Sequence, residues 1–162
     1  MEYNLLELKE KQKQLDSYIH ELHDVTYETT LKRRILAFLV ELGELANETR
    51  CFKFWSLKGP SSDDVIFEEY IDGVHFILSI GIAINYDFSQ NIDVKENNLS
   101  LVDQFFKVYQ LASNFDNSAK SYQSFVSEFL NLGVKLGLTK EKLDEYYQKK
   151  WLINFERQNN KY

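Results

Sequence analysis

Glu41-Leu-Gly-Glu44 and Glu69-Tyr-Ile-Asp72 place paired carboxylates three residues apart inside two of the most apolar stretches of the chain. Phe38, Leu39, Val40, Leu42 and Leu45 surround the first pair; Val65, Ile66, Phe67, Ile71, Val74, Phe76 and Ile77 surround the second. Residues three or four apart share one stripe of an α-helix, whereas residues three apart point to opposite faces of a strand. Helices are therefore the structures that keep each pair together. Acids on a helix usually mark its solvated face, as Glu7, Glu10, Glu141 and Asp144 do here. The two pairs have too little polar face around them for that. Two helices joined by a short connection lie antiparallel, so the acidic stripes meet, with Glu48 and Glu68 beside them. Four carboxylates at close quarters raise one another's pKa unless cations neutralise them. A divalent cation is the simplest partner, and Mg²⁺ held by carboxylates points to phosphate chemistry.

The rest of the chain agrees with an all-α bundle. One Pro and six Gly in 162 residues leave few obligatory breaks, and 44% hydrophobic residues suffice for one domain, residues 1–162, with a core. Periodicity predicts helices over residues 2–23, 28–52, 64–85, 99–113, 118–136 and 139–159. The first has Leu5, Leu8, Leu15, Ile19 and Leu22 on its apolar face. Residues 53–62 read as a loop and 87–98 as a polar connection. Ser61, Ser62 or Asp63 suits the cap of the third helix, Gly137 a helix stop, and Thr139 the cap of the last.

A net charge of −6 argues against a general nucleic-acid or anionic-membrane binder. The apolar run 65–84 is long, but Glu68, Glu69, Asp72 and His75 within it argue for a buried helix rather than a membrane span. Cys51 is the single cysteine, which excludes an internal disulfide and fits a reducing compartment. The charged N-terminal segment lacks a signal-peptide apolar region, so a cytoplasmic location is expected. His20 and His23 read as surface residues, and Cys51 as structural. No glycine-rich phosphate loop is present.

Glu-x-x-Glu followed by Glu-x-x-Asp resembles the metal signature of the all-α nucleotide pyrophosphatases, which include MazG and the dimeric dUTPases. The flanking runs LVELGELANETRCFKFWSLKGPSS and EEYIDGVHFILSIG are similar to the dimeric dUTPases of Gram-positive bacteria and their phages. The resemblance extends over essentially the whole chain and is weakest between residues 87 and 118. It implies a helical bundle completed by homodimerisation, and Mg²⁺-dependent hydrolysis of dUTP to dUMP and pyrophosphate by attack at the β phosphorus. A phage enzyme would act in the cytoplasm of the bacterial host, and a mobile-element repressor protein is a possible further partner.

Site residues follow from the same likeness. Glu41, Glu44, Glu69 and Asp72 would hold two or more Mg²⁺ ions, with Glu41, Glu44 or Glu48 taking a proton from the attacking water. Lys150, Asn154, Arg157 and Tyr162 match a C-terminal motif that closes over the phosphates; Trp151 departs from the Asn often found after that Lys. Phe54 and Trp55 are candidates to stack on uracil. His75 would contact the deoxyribose, and Gln12 and Asp16 would read the uracil edge as donor and acceptor, although a solvated helix face explains them nearly as well. Two rivals remain: the same fold acting on dCTP or on dNTPs broadly, and a non-enzymatic helical module whose acids form a charged seam.

Overall fold

The computed structural model describes residues 1–161, and Tyr162 lies outside them. Six helices and a two-stranded ribbon follow in the order β1 (Glu2–Tyr3), α1 (Leu6–His23), α2 (Tyr27–Thr49), α3 (Asp63–Ala83), β2 (Ile92–Asp93), α4 (Leu101–Ser113), α5 (Ala119–Lys135) and α6 (Lys140–Asn159). Side-chain caps set most of the starts. Thr26 and Thr29 form a reciprocal capping box at α2, and Ser100, Ser118 and Thr139 accept from the backbone N–H three residues on at α4, α5 and α6. Ser62 precedes α3 without such a bond, and Asp63 and Asp64 in the first turn complement the helix dipole instead. Gly137, at φ +86°, takes the left-handed turn between α5 and α6, and Leu138 N–H closes it on the Gly133 carbonyl at 3.0 Å.

The antiparallel arrangement of α2 and α3 can be read from its cross-links. Arg34 meets Ser79, Glu41 meets Asp72, and Glu48 meets Ser61, so one number falls as the other rises. Behind this pair α5 supplies aromatic packing. Phe129 stacks on Tyr70 at 4.4 Å and 9°, meets Phe38 edge-on at 5.1 Å, and its carbonyl accepts from the Tyr70 hydroxyl at 2.9 Å. Gly73 allows this approach, because a Cβ there would sit 2.8 Å from the tip of the Phe129 ring. Most of α3 is buried, which accounts for its apolar sequence; no described helix is long and apolar enough to cross a membrane.

Three expectations need correction. The first helix starts at Leu6, since Glu2 and Tyr3 pair antiparallel with Asp93 and Ile92. The segment 87–98 is accordingly more than a polar connection: Ile92 and Val94 are buried in the core. Two-residue strands stabilised by a partner ninety positions away leave no periodic trace in sequence. Leu22, expected on the apolar face of α1, is exposed.

Candidate active site

Glu41, Glu69 and Asp72, from the middle of α2 and the first half of α3, each offer an oxygen, and these oxygens lie within 4.8 Å of one another. All three side chains are half-buried. Burial pushes the Glu41 carboxyl up to about 8, reinforced by the charges of Asp72, Glu44 and Glu69 and a hydrogen bond with Glu44. Burial, then Asp72 and Glu44, also raise Glu69. Asp72 is raised by burial although Lys150 Nζ stands 3.1 Å from its Oδ1 and Arg157 adds positive field. Glu41 Oε2 and Glu69 Oε2 are buried without a hydrogen-bond donor. Hard carboxylate oxygens, mutual repulsion and two orphaned acceptors suit a divalent cation such as Mg²⁺.

Glu44 hydrogen-bonds to Glu41 but is not one of this close trio. It is exposed on the outer edge, where it lines an open depression with Glu48 and Glu69. Glu48, one turn beyond Glu44, accepts a hydrogen bond from the Ser61 hydroxyl. The loop after α2 is thereby tied to the acidic helix.

A cavity of about 410 Å³ opens between α1, α2, α3 and α6. Its walls include Gln12, Asp16, Thr30, Arg34, His75, Phe76, Ser79, Asn154 and Arg157. At a helical rise of about 1.5 Å per residue, His75 lies roughly 4.5 Å beyond Asp72 along α3 and Ser79 about 10 Å beyond it. The cavity thus extends away from the carboxylates by about the length of a nucleoside.

Gln12 and Asp16 are buried, with 4% and 3% of their surface exposed, so the solvated-face reading fails for both. Asp16 Oδ1 accepts from Gln12 Nε2 at 2.9 Å and faces Arg34 Nη1 at 3.6 Å, while its Oδ2 accepts from the hydroxyls of Tyr27 and Ser79, each at 2.9 Å. Gln12 Oε1 accepts from the Tyr147 hydroxyl at 2.8 Å and bonds to His75 Nδ1 at 2.6 Å. His75 is 6% exposed and stacks on Tyr147 at 4.4 Å, and its Nε2 has no partner. Burial, helped by the Lys150 charge, takes its pKa down to about 3, so the ring is neutral.

Arg34 escaped the sequence reading. Its Nε donates to the Thr30 hydroxyl at 2.8 Å, its Nη1 to Ser79, and its carbon lies 4.9 Å from the centre of the Tyr27 ring. Its Nη2 meets His20 Nε2. A guanidinium can only donate, so that nitrogen is the acceptor and the ring is neutral; burial first, then the Arg34 charge, lower its pKa. His20 is therefore half-buried in a network and not a surface residue, whereas His23 is exposed. Arg34 sits in the run Lys32-Arg33-Arg34, which reads as solvated charge. The available clue was Asp16, an acid on an apolar stripe in need of a cation.

On α6, Lys150 faces the carboxylates while Asn154 and Arg157 line the cavity, all on one stripe of the helix. Trp151 points elsewhere, donating to the Lys11 carbonyl at 2.8 Å. Tyr162 is outside the described residues. Phe54 and Trp55 are not brought to the cavity: they are 93% and 65% exposed and contact each other edge-on at 5.1 Å. Cys51 is a half-buried free thiol.

A search of the curated proteins finds no match. The family model described as dUTPase, however, matches residues 4–162, nearly the whole chain. The chain belongs to the all-α dUTPase family, whose activity is the hydrolysis of dUTP.

Proposed function

We propose that the chain converts dUTP to dUMP and pyrophosphate with Mg²⁺ held by Glu41, Glu69 and Asp72, and by Glu44 from its outer edge. The observation that carries this reading is the convergence of three carboxylates, two with undonated buried oxygens, beside a nucleoside-sized cavity. Bound Mg²⁺ supplies charge neutralisation on the phosphates and a coordinated water of lowered pKa. Glu48, steadied by Ser61, or a glutamate of the first pair accepts the proton of the attacking water. Lys150 and Arg157 offset the charge growing on the phosphate oxygens, and Asn154 donates from the same helix face.

His75 and Phe76 take the sugar, one turn beyond Asp72. The base lies deeper, where the second amide hydrogen of Gln12 is available to a uracil carbonyl. Asp16, already approached by four donors, acts mainly by fixing these neighbours. Phe54, Trp55 and Leu57 are exposed in one loop, and Leu36 and Val40 are exposed on α2. Such apolar surface supports a homodimer, in which the loop aromatics would cover the base. A repressor partner rests on the family likeness alone, and a cytoplasmic location on the N-terminal sequence and the single cysteine.

Pyrophosphate release from dUTP, measured with Mg²⁺ and with chelator, tests the reading. Equal rates with dUTP, dCTP, dTTP and UTP would replace uracil specificity by a broad dNTP pyrophosphatase. Release from none of them would favour the non-enzymatic module.

A further inference from the structure

The polar atoms lining the cavity leave one ring nitrogen unused, and a chain of donors and acceptors determines its state. Asp16 is a carboxylate and can only accept, so the Gln12 amide must turn its NH₂ toward it, at 2.9 Å. The Gln12 carbonyl oxygen then faces the other way, where the Tyr147 hydroxyl donates to it at 2.8 Å. That same oxygen is 2.6 Å from His75 Nδ1, and since an amide oxygen has no proton to give, Nδ1 must carry the hydrogen. In a neutral imidazole the other nitrogen, Nε2, is then a bare acceptor. It is buried and unpartnered, on a residue lining the cavity. Tyr147 is wholly buried and holds the ring plane by stacking on it at 4.4 Å and 27°.

We propose that Asp16 and Tyr147 are positioning residues: through Gln12 they lock His75 in the Nδ1–H tautomer, so that Nε2 accepts a hydrogen bond from the sugar hydroxyl of the bound nucleotide. This rests on the assignment of the cavity to the nucleoside, and it extends it by giving Asp16 a role that needs no contact with the base. A hydroxyl is the fitting donor because His75 is only one helical turn from Asp72, nearer the phosphate end than the base end. The reversed tautomer would present an N–H to the same place, so the hydroxyl would have to accept there and find another acceptor for its own proton.

The tautomer is read directly from long-range ¹H–¹⁵N spectra of the His75 ring in the intact protein. The wild type is expected to give the pattern of a single Nδ1–H form, shifting when dUMP is added. Asp16→Asn lets the Gln12 amide reverse. It should populate the Nε2–H form and raise KM for dUTP about tenfold, the size of one hydrogen bond to a buried group. KM for the 2′,3′-dideoxy triphosphate, which lacks the hydroxyl but keeps the uracil contact of Gln12, should rise by clearly less. Should Asp16→Asn fail to fold for want of its ion pair with Arg34, Tyr147→Phe carries the test. It removes one oxygen from the relay and is expected to raise KM for dUTP by a few-fold, with kcat moved less than about twofold. A wild-type Nε2–H ring overturns the proposal, as does an equal rise in KM for dUTP and its dideoxy analogue. If instead the ring is Nδ1–H but dUMP leaves its resonances unmoved, it is the nucleoside assignment of the cavity that fails, and the proposal with it.

Discussion

Lys150 Nζ stands 3.1 Å from Asp72 Oδ1, so a cation from the last helix already occupies one side of the carboxylate cluster. It also competes with any metal for that oxygen. Replacing it should separate two effects that usually run together. Lys150→Met is expected to tighten Mg²⁺ binding several-fold, by removing a like charge, while lowering kcat by about tenfold or more through lost stabilisation of the phosphate charge. Mg²⁺ titrations of activity give both numbers, and parallel losses in affinity and kcat would refute the competition.

Glu41→Gln and Asp72→Asn should each reduce Mg²⁺-dependent pyrophosphate release below about 1% of wild type. The same changes should make the metal-free protein more resistant to heat, because each removes a half-buried carboxyl whose ionised form burial disfavours. Thermal melts in chelator check the second half; a lower melting temperature for both variants would contradict it.

The pH dependence of the chelated protein follows from Glu41. Its carboxyl rises from an ordinary 4.5 to about 8 on folding, so between those values the folded state holds more protons than the unfolded one. Stability must then fall as pH rises through that window, and the loss is complete above it. Mg²⁺ should flatten the slope, and Glu41→Gln should flatten it without metal. Denaturant unfolding at pH 5, 6.5 and 8 measures it, and a wild-type slope of the opposite sign in chelator excludes this account.

Arg34→Met leaves Asp16 buried with three neutral donors and no counter-charge. A loss of about 3 kcal/mol is expected. Urea titration gives the figure, and a change under about 1 kcal/mol would show that the hydroxyls of Tyr27 and Ser79 suffice.

How much of this was legible in the sequence depended on distance along the chain. The acidic pairs could be placed on facing helices because a spacing of three has one helical meaning and a short loop dictates antiparallel packing. Caps such as Thr139 and the stop at Gly137 were readable for the same local reason. Asp16 and Arg34, eighteen positions apart on different helices, pair through tertiary geometry that no periodicity records. Glu44 shows the converse limit: the pattern gave it the same standing as Glu41, yet helix rotation leaves it exposed at the rim. For Phe54 and Trp55 the sequence identified an aromatic loop but not its position, which lies away from the cavity within this chain.

The cavity is walled by both α1 and α6, so its residues run from Gln12 to Gln158 and span nearly the full contour of the chain. Such a pocket exists only after the longest loop in the molecule has closed, and no fragment short of that closure can present it. A nucleotide seated there would act as a clasp on the two ends. Added dUMP should slow amide hydrogen exchange in α1 and α6 together, even though the two helices are separated by more than a hundred residues.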